Sequence, residues 1–237
     1  LVRLLYKLGA TSRKDLFDLL QPLELGLENQ ETAKDVIRAA VACGLVIETP
    51  SDNLIRLNPD VSNIENVKEY KLWMQKILLG HAEENEPNFL LNIFTAWYLV
   101  QNEGLFQYTK DIDKQFNSEV FPEDTERSFN PTKLNSWKTW ASFLGFGWLN
   151  RENGMLIPDV HDRLEPHLRE ILPIGRQEIA FGKFFNGLGD ACPELDGGTL
   201  YKRCVQFSRK TDIYRNRLSL ALSTALRVLY KERRIEL

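Results

Sequence analysis

The feature that most restricts what this chain can fold into is a change of hydrophobic period that occurs twice at the same kind of boundary. Residues Ala33–Glu48 read AKDVIRAAVACGLVIE, and residues Leu134–Asn150 read LNSWKTWASFLGFGWLN. In each, apolar residues recur at helical spacing, stop at a glycine (Gly44, Gly145) and pass directly into a short apolar run suited to a strand. A glycine there fits the left-handed residue that closes a helix. A polar turn and a second apolar stretch follow. In the first copy these are Thr49-Pro50-Ser51-Asp52-Asn53 and Leu54–Leu57; in the second, Arg151-Glu152-Asn153-Gly154 and Met155–Ile157. Asn-Gly between apolar residues is a strong hairpin signal. A third copy begins at Leu218 and reaches Arg233–Leu237. Intervals of about 100 and about 85 residues are too long for a solenoid.

Two further helices precede each copy. Leu1, Leu4, Leu5 and Leu8 share one helical face, and Ser12 is placed to cap a helix carrying Leu16, Phe17, Leu19 and Leu20 that Pro22 ends. In the second copy Phe89–Gln101 is almost wholly apolar and reads as a buried helix. Thr109–Phe116 follows with Thr109 as its cap, and Asn130 then caps a helix with Pro131 at its first position. In the third, Ile179–Phe185 and Leu200–Phe207 are the counterparts. Three helices and a hairpin resemble the winged-helix superfamily, most clearly in the first copy and only in part in the third. The resemblance implies a mainly α fold with small β-hairpin wings, arranged as tandem winged-helix modules. Their expected boundaries are 1–62, 63–172 (with a linker helix near Val67–Leu79) and a truncated, basic 173–237.

Thirty Lys+Arg against 33 Asp+Glu leave a net charge of −3, which hides an asymmetry. Residues 1–65 carry 7 basic and 10 acidic side chains, residues 66–172 carry 11 and 16, and residues 173–237 carry 12 and 7. Between residues 201 and 234, ten basic residues face only Asp212 and Glu232. A chain polarised in this way suggests that one segment meets phosphates while the rest does something else.

Helical phase indicates what each third helix presents. In the first module Ala33, Val36, Ile37, Ala40 and Cys43 form the expected buried arc. Glu31, Lys34, Asp35 and Arg38 point outward, a poor face for phosphates and a better one for solvent or protein. In the second, Leu134, Trp137, Trp140, Ala141 and Leu144 are expected inside. Asn135, Lys138, Thr139 and Ser142 point outward, either as an ordinary exposed face or as one meeting base edges and phosphates. Glu119, Glu123, Asp124 and Glu126 are read as an acidic loop ahead of it. In the third, Leu218, Leu222, Ala225, Leu226 and Leu229 form the core stripe, with Ser223, Thr224, Arg227 and Lys231 outward. Lys202, Arg203, Arg209, Lys210, Arg215 and Arg217 surround that face, interleaved with Tyr201, Phe207 and Tyr214. Arginines and helix N-termini suit phosphate oxygens. An acidic protein surface, such as a second copy of this chain, is the alternative occupant.

No catalytic constellation emerges. His161 and His167 lie near Asp159, Asp162 and Glu165, but His-x5-His does not share a helical face and Pro166 interrupts the segment, so a solvated charged helix is expected there. Cys43, Cys192 and Cys204 lack a CxxC spacing and read as buried thiols of a reducing compartment. Asn186–Asp190 and Gly197–Thr199 are glycine-rich without the Gly-Lys-Ser/Thr of a phosphate loop, and read as a flexible connector. The five tryptophans fall on apolar stripes and read as core. No apolar run approaches ~18 residues, so no transmembrane helix is expected. The chain opens on Leu1 rather than Met and reads as a piece of a longer one.

These readings combine into a non-enzymatic, cytoplasmic protein with no cofactor or metal. It resembles accessory subunits of bacterial DNA-handling or anti-phage defence systems. It would contact double-stranded DNA through Lys202, Arg203, Arg209, Lys210, Arg215, Arg217, Arg227 and Lys231, with Asn135, Lys138 and Thr139 as a second patch. Its acidic modules would dock on protein subunits of a larger complex. The alternative is a structural subunit similar to the tandem winged-helix proteins that bind a kleisin in chromosome-condensation complexes, often as homodimers.

Overall fold

Among the described residues helix dominates at 62% against 8% strand, and the strands are short. The computed structural model describes residues 1–22, 24, 30–49, 52–61, 66–106, 111–122, 128–172, 178–208 and 217–236. No helix among them is long and apolar enough to cross a membrane. The chain divides into two compact units, residues 1–77 and 78–237.

The first unit runs α1 (Val2–Leu8), β1 (Thr11–Ser12), α2 (Arg13–Leu20), α3 (Glu31–Ala42), β2 (Val46–Thr49) and β3 (Leu54–Leu57), and α4 (Val67–Leu78) follows as the extra helix expected near 67–79. Ser12 caps α2 as its position demands, its hydroxyl accepting from the Asp15 amide at 3.1 Å. The hairpin expected near 46–57 is β2–β3, paired from Val46↔Leu57 to Thr49↔Leu54. The two-residue β1, which the sequence does not announce, joins it through Thr11↔Ile55 and Ser12↔Leu54, giving an antiparallel sheet in the order β1-β3-β2. Leu5, Leu16, Ala33, Ile37, Ala40, Val46 and Ile55 form the core beneath it. Val36, expected inside, is 41% exposed, because the buried stripe of α3 follows 33, 37 and 40.

The second unit contains α5 (Phe89–Val100), α6 (Ile112–Val120), α7 (Pro131–Phe143), β4 (Gly147–Leu149), β5 (Leu156–Pro158), α8 (His161–Ile171), α9 (Phe181–Ala191), α10 (Thr199–Phe207) and α11 (Leu220–Lys231). Its centre is α5, buried on all sides as its apolar sequence requires. Phe94 stacks on Phe129 (centroids 3.9 Å) and meets Phe116 and Trp137 edge-on at 4.7 Å each. Trp97 donates to the Glu119 carboxylate (2.8 Å), Trp137 to the Thr95 hydroxyl (2.9 Å), and the Tyr98 hydroxyl to the Leu156 carbonyl of β5 (2.6 Å). Glu119 is thus turned inward from α6 rather than lying in an acidic loop. Glu123, Asp124 and Glu126 lie outside the described residues. So does Thr109: α6 begins at Ile112, behind a left-handed Asp111.

Both signature glycines close their helices in one way. At Gly44 (φ 63°) the amides of Gly44 and Leu45 return to the carbonyls of Val41 (3.0 Å) and Ala40 (2.9 Å). At Gly145 (φ 88°) those of Gly145 and Phe146 return to Ser142 (3.3 Å) and Ala141 (2.9 Å). Each hairpin is then fastened to the same point, with the Asn58 amide on the Leu45 carbonyl (3.0 Å) and the Asp159 amide on Phe146 (3.1 Å). Helix α11 ends identically without a glycine: Arg233 (φ 58°) and Arg234 return to Tyr230 (3.0 Å) and Leu229 (2.8 Å).

Three expectations are corrected. Residues 186–190 are helical, within α9, rather than a connector. A Cβ on Gly189 would strike the backbone of Gly197 and Gly198, so glycine here admits a close chain crossing. Helix α8 is not merely solvated: Arg163 and Glu194, 3% and 0% exposed, form a buried ion pair at 2.8 Å, and Arg163 also bonds His167. Of the tryptophans, Trp97 and Trp137 are core, whereas Trp140 and Trp148 are 36% and 54% exposed. On α7 the buried stripe steps by four from Trp137 to Ala141, which leaves Trp140 at its edge.

Candidate nucleic-acid interface

Helix α11 is built by its sequence and placed by its N-terminus. Ser219 caps it, its hydroxyl accepting from the Leu222 amide (3.0 Å), and Asp196 receives both the amide and the hydroxyl of Ser219 at 2.6 Å. Burial raises the Asp196 carboxyl above its ordinary value more than the Ser219 bonds lower it. The Leu220 amide donates to the Asn102 side chain (2.8 Å), just past the end of α5. The stripe Leu222, Ala225, Leu226 and Leu229 is buried against α8 and the turn at 102–106, with Leu218 half-buried beside it.

That packing leaves Arg227 and Lys231, four residues apart on one face, exposed together with Tyr230. Lys202 on α10 and Arg217 before the α11 cap are exposed as well. Arg203 is committed elsewhere: it pairs with Glu84 and lies 5.5 Å above both Phe89 and Phe207. Arg209, Lys210 and Arg215 lie outside the described residues. Two basic residues, counted in the segment but not assigned as contacts, lie at the end of α11. Arg234 pairs with Glu165 beside a cleft of about 340 Å³ lined also by Leu168, Arg169 and Leu172, and Arg233 is exposed at the helix end.

On α7, Asn130 caps as expected, accepting from the Lys133 amide (2.8 Å) behind Pro131. Asn135 and Thr139 are exposed and Lys138 half-exposed, with the Thr139 hydroxyl bonded back to the Asn135 carbonyl (3.3 Å). On α3 the outward charges neutralise one another, Lys34 with Glu31 (2.6 Å) and Arg38 with Asp35 (3.1 Å).

Among the described residues no group of three or more His, Cys, Asp or Glu converges on a metal position. His161 bonds Asp159 (2.8 Å) and Asp162 (3.2 Å). Cys192 and Cys204 are buried and Cys43 is half-buried, and burial raises all three thiols above their ordinary value. These thiols are protonated and poorly nucleophilic at neutral pH.

A family model of the DpdG-like proteins matches residues 1–237, the whole chain. The chain belongs to the DpdG-like family. That family is linked to DNA-modification and anti-phage systems, which are multi-protein systems. No curated protein matches the chain significantly, and no solved structure does.

Proposed function

We propose that this chain is a non-catalytic accessory subunit of a DNA-modification or defence complex that holds double-stranded DNA through the basic face of α11. The carrying observation is Arg227 and Lys231 side by side and exposed on a helix whose own sequence has no acid, in a chain otherwise richer in acids than bases. Lys202 and Arg217 are further exposed cations of the basic segment, with Arg209, Lys210 and Arg215 between them in sequence. The modules are read as tandem winged helices. The sheet order β1-β3-β2 supports the first, the matching glycine-closed helix and hairpin the second, and the same closure at Arg233 the third.

Neutralising a phosphate releases its counterions, so each phosphate the protein ceases to neutralise lowers the log–log salt slope of binding by about 0.9. Arg227→Glu with Lys231→Glu should weaken binding to every duplex sequence alike and flatten that slope by about two. Lys34→Glu with Arg38→Glu should leave it unchanged. An unaltered slope in the α11 variant, or an equal loss from the α3 variant, rejects the placement.

A protein-docking role for the first unit has its own support. Helix α3 shows self-paired charges with Val36 and Val41 exposed at 41% and 38%, a surface suited to a protein partner such as a linker subunit. Full-length protein that binds no DNA at low salt yet keeps a partner through α3 would make the scaffold reading the primary one.

A further inference from the structure

The wing of the second unit carries a large aromatic ring that the core does not use. Trp148 is 54% exposed on β4, with Ile157 of β5 as its cross-strand partner, while Leu156 and Pro158 on the alternate face are buried. The ring is set outward by its backbone. Gly147 (φ 156°) lies so close to the Ile157 carbonyl that any Cβ there would collide with it, so the chain enters the hairpin through glycine alone, and the first side chain it can offer is the indole. Helix α7 packs beside β4 and leaves Trp140 36% exposed near its end.

The segment that carries these rings is basic on balance. From Ser128 to Glu152 the basic residues are Lys133, Lys138 and Arg151, against one acid, the exposed Glu152 beside Arg151. Lys133 bonds the Ser128 carbonyl (2.7 Å), whereas no carboxylate among the described residues pairs with Lys138 or Arg151. An exposed apolar ring on a segment that also carries cations without a carboxylate partner among the described residues suits single-stranded nucleic acid. The cations track the backbone, and the ring stacks on a base whatever its identity. A closed duplex offers no free base face to such a ring.

We infer that the β4–β5 wing, through Trp148 and aided by Trp140, Lys138 and Arg151, is a stacking site for an unpaired base. Resting on the DNA-contacting role proposed above, this gives the chain a preference for locally opened or single-stranded DNA at the wing.

The test uses the full chain with three probes: an oligothymidylate, a duplex of equal length and the same duplex with a central unpaired bubble. Binding the oligothymidylate and the bubble should quench tryptophan emission. Trp148→Ala should weaken both by about 5- to 150-fold, the loss of one stacked base, while changing the closed duplex by less than about twofold. Trp148→Phe, which keeps a ring, should recover much of the loss. If Trp148→Ala weakens all three probes equally, or none, the stacking site is overturned while α11-dependent duplex binding stands. If the unaltered chain binds none of the probes at low salt, both this inference and the DNA-contacting role fall.

Discussion

Asp196 offers the sharpest check on how the basic helix is held. Its carboxylate, 3% exposed, takes two hydrogen bonds of 2.6 Å from Ser219, whose hydroxyl in turn caps α11. Bonds to a charged group contribute about 1.5–3 kcal/mol each, so Asp196→Ala forfeits roughly 3–6 kcal/mol gross. The variant no longer buries a carboxylate, which offsets part of that, and a net loss of about 2–3 kcal/mol remains. For a unit of this size the loss lowers Tm by about 5–10 °C. Asp196→Asn keeps one acceptor oxygen and should cost about 1 kcal/mol at neutral pH. Burial holds the native carboxyl above its ordinary value, so the folded state binds that proton more tightly than the unfolded chain does. Stability from this source is therefore full below the unfolded pKa and is lost as pH rises through the folded one. Asparagine cannot take up the proton, so its penalty should widen on acidification. Calorimetry of the three proteins at neutral and acid pH measures all of this. Asp196→Ala within about 0.5 kcal/mol of the unaltered chain, or an asparagine penalty that shrinks in acid, would refute the reasoning.

The two α7 tryptophans should behave differently in urea unfolding. Trp137→Ala, which empties a site against Phe94 and removes the indole donor to the Thr95 hydroxyl, should cost about 3–5 kcal/mol, and Trp140→Ala about 1 kcal/mol. The histidines should titrate apart by NMR. Burial alone would lower His161, but Asp159, Asp162 and Glu232 together raise it above 6.5, whereas burial and Arg163 lower His167. His161 then adds stability below its unfolded pKa, lost as pH rises through the folded one. The stability linked to His167 is present above its unfolded pKa and lost as pH falls through the folded one. Arg163→Ala, which strands the buried Glu194 carboxylate, should cost about 3–5 kcal/mol by thermal denaturation.

The helix-to-hairpin boundaries are legible in the sequence because Gly44 and Gly145 advertise a left-handed residue that other side chains resist. The same closure at Arg233 is not, since there an arginine takes up that conformation. Strand β1 is invisible because two residues carry no period, and Ser12 shows only its capping role. The helix through Gly187 and Gly189 is hidden because glycine's poor propensity masks a close backbone crossing that only the folded chain supplies. At the candidate interface the density of Lys and Arg marks the α11 region as basic. Charge counting cannot reveal that Arg203 meets Glu84, a residue 119 positions away. Nor can helical phase, read at one residue's resolution, tell an edge position such as Trp140 from a buried one.

Helix α5 has a consequence for how tightly any target is held. Tyr98 fastens it to the β4–β5 hairpin, Ile93 receives the Cys204 thiol of α10, and Asn102 just beyond its end takes the first amide of α11. The β4–β5 hairpin and the basic helix are therefore bolted to one rod within the second unit. On the function and stacking site proposed above, two binding points mounted in this way would act as a bivalent ligand with no linker to order. The second engages at high effective concentration when the target presents both features at the matching separation, and not at all when it does not. Avidity on such a mount is a measurement of spacing, so inserting paired bases between an opened site and its flanking duplex should abolish the gain in steps rather than erode it gradually.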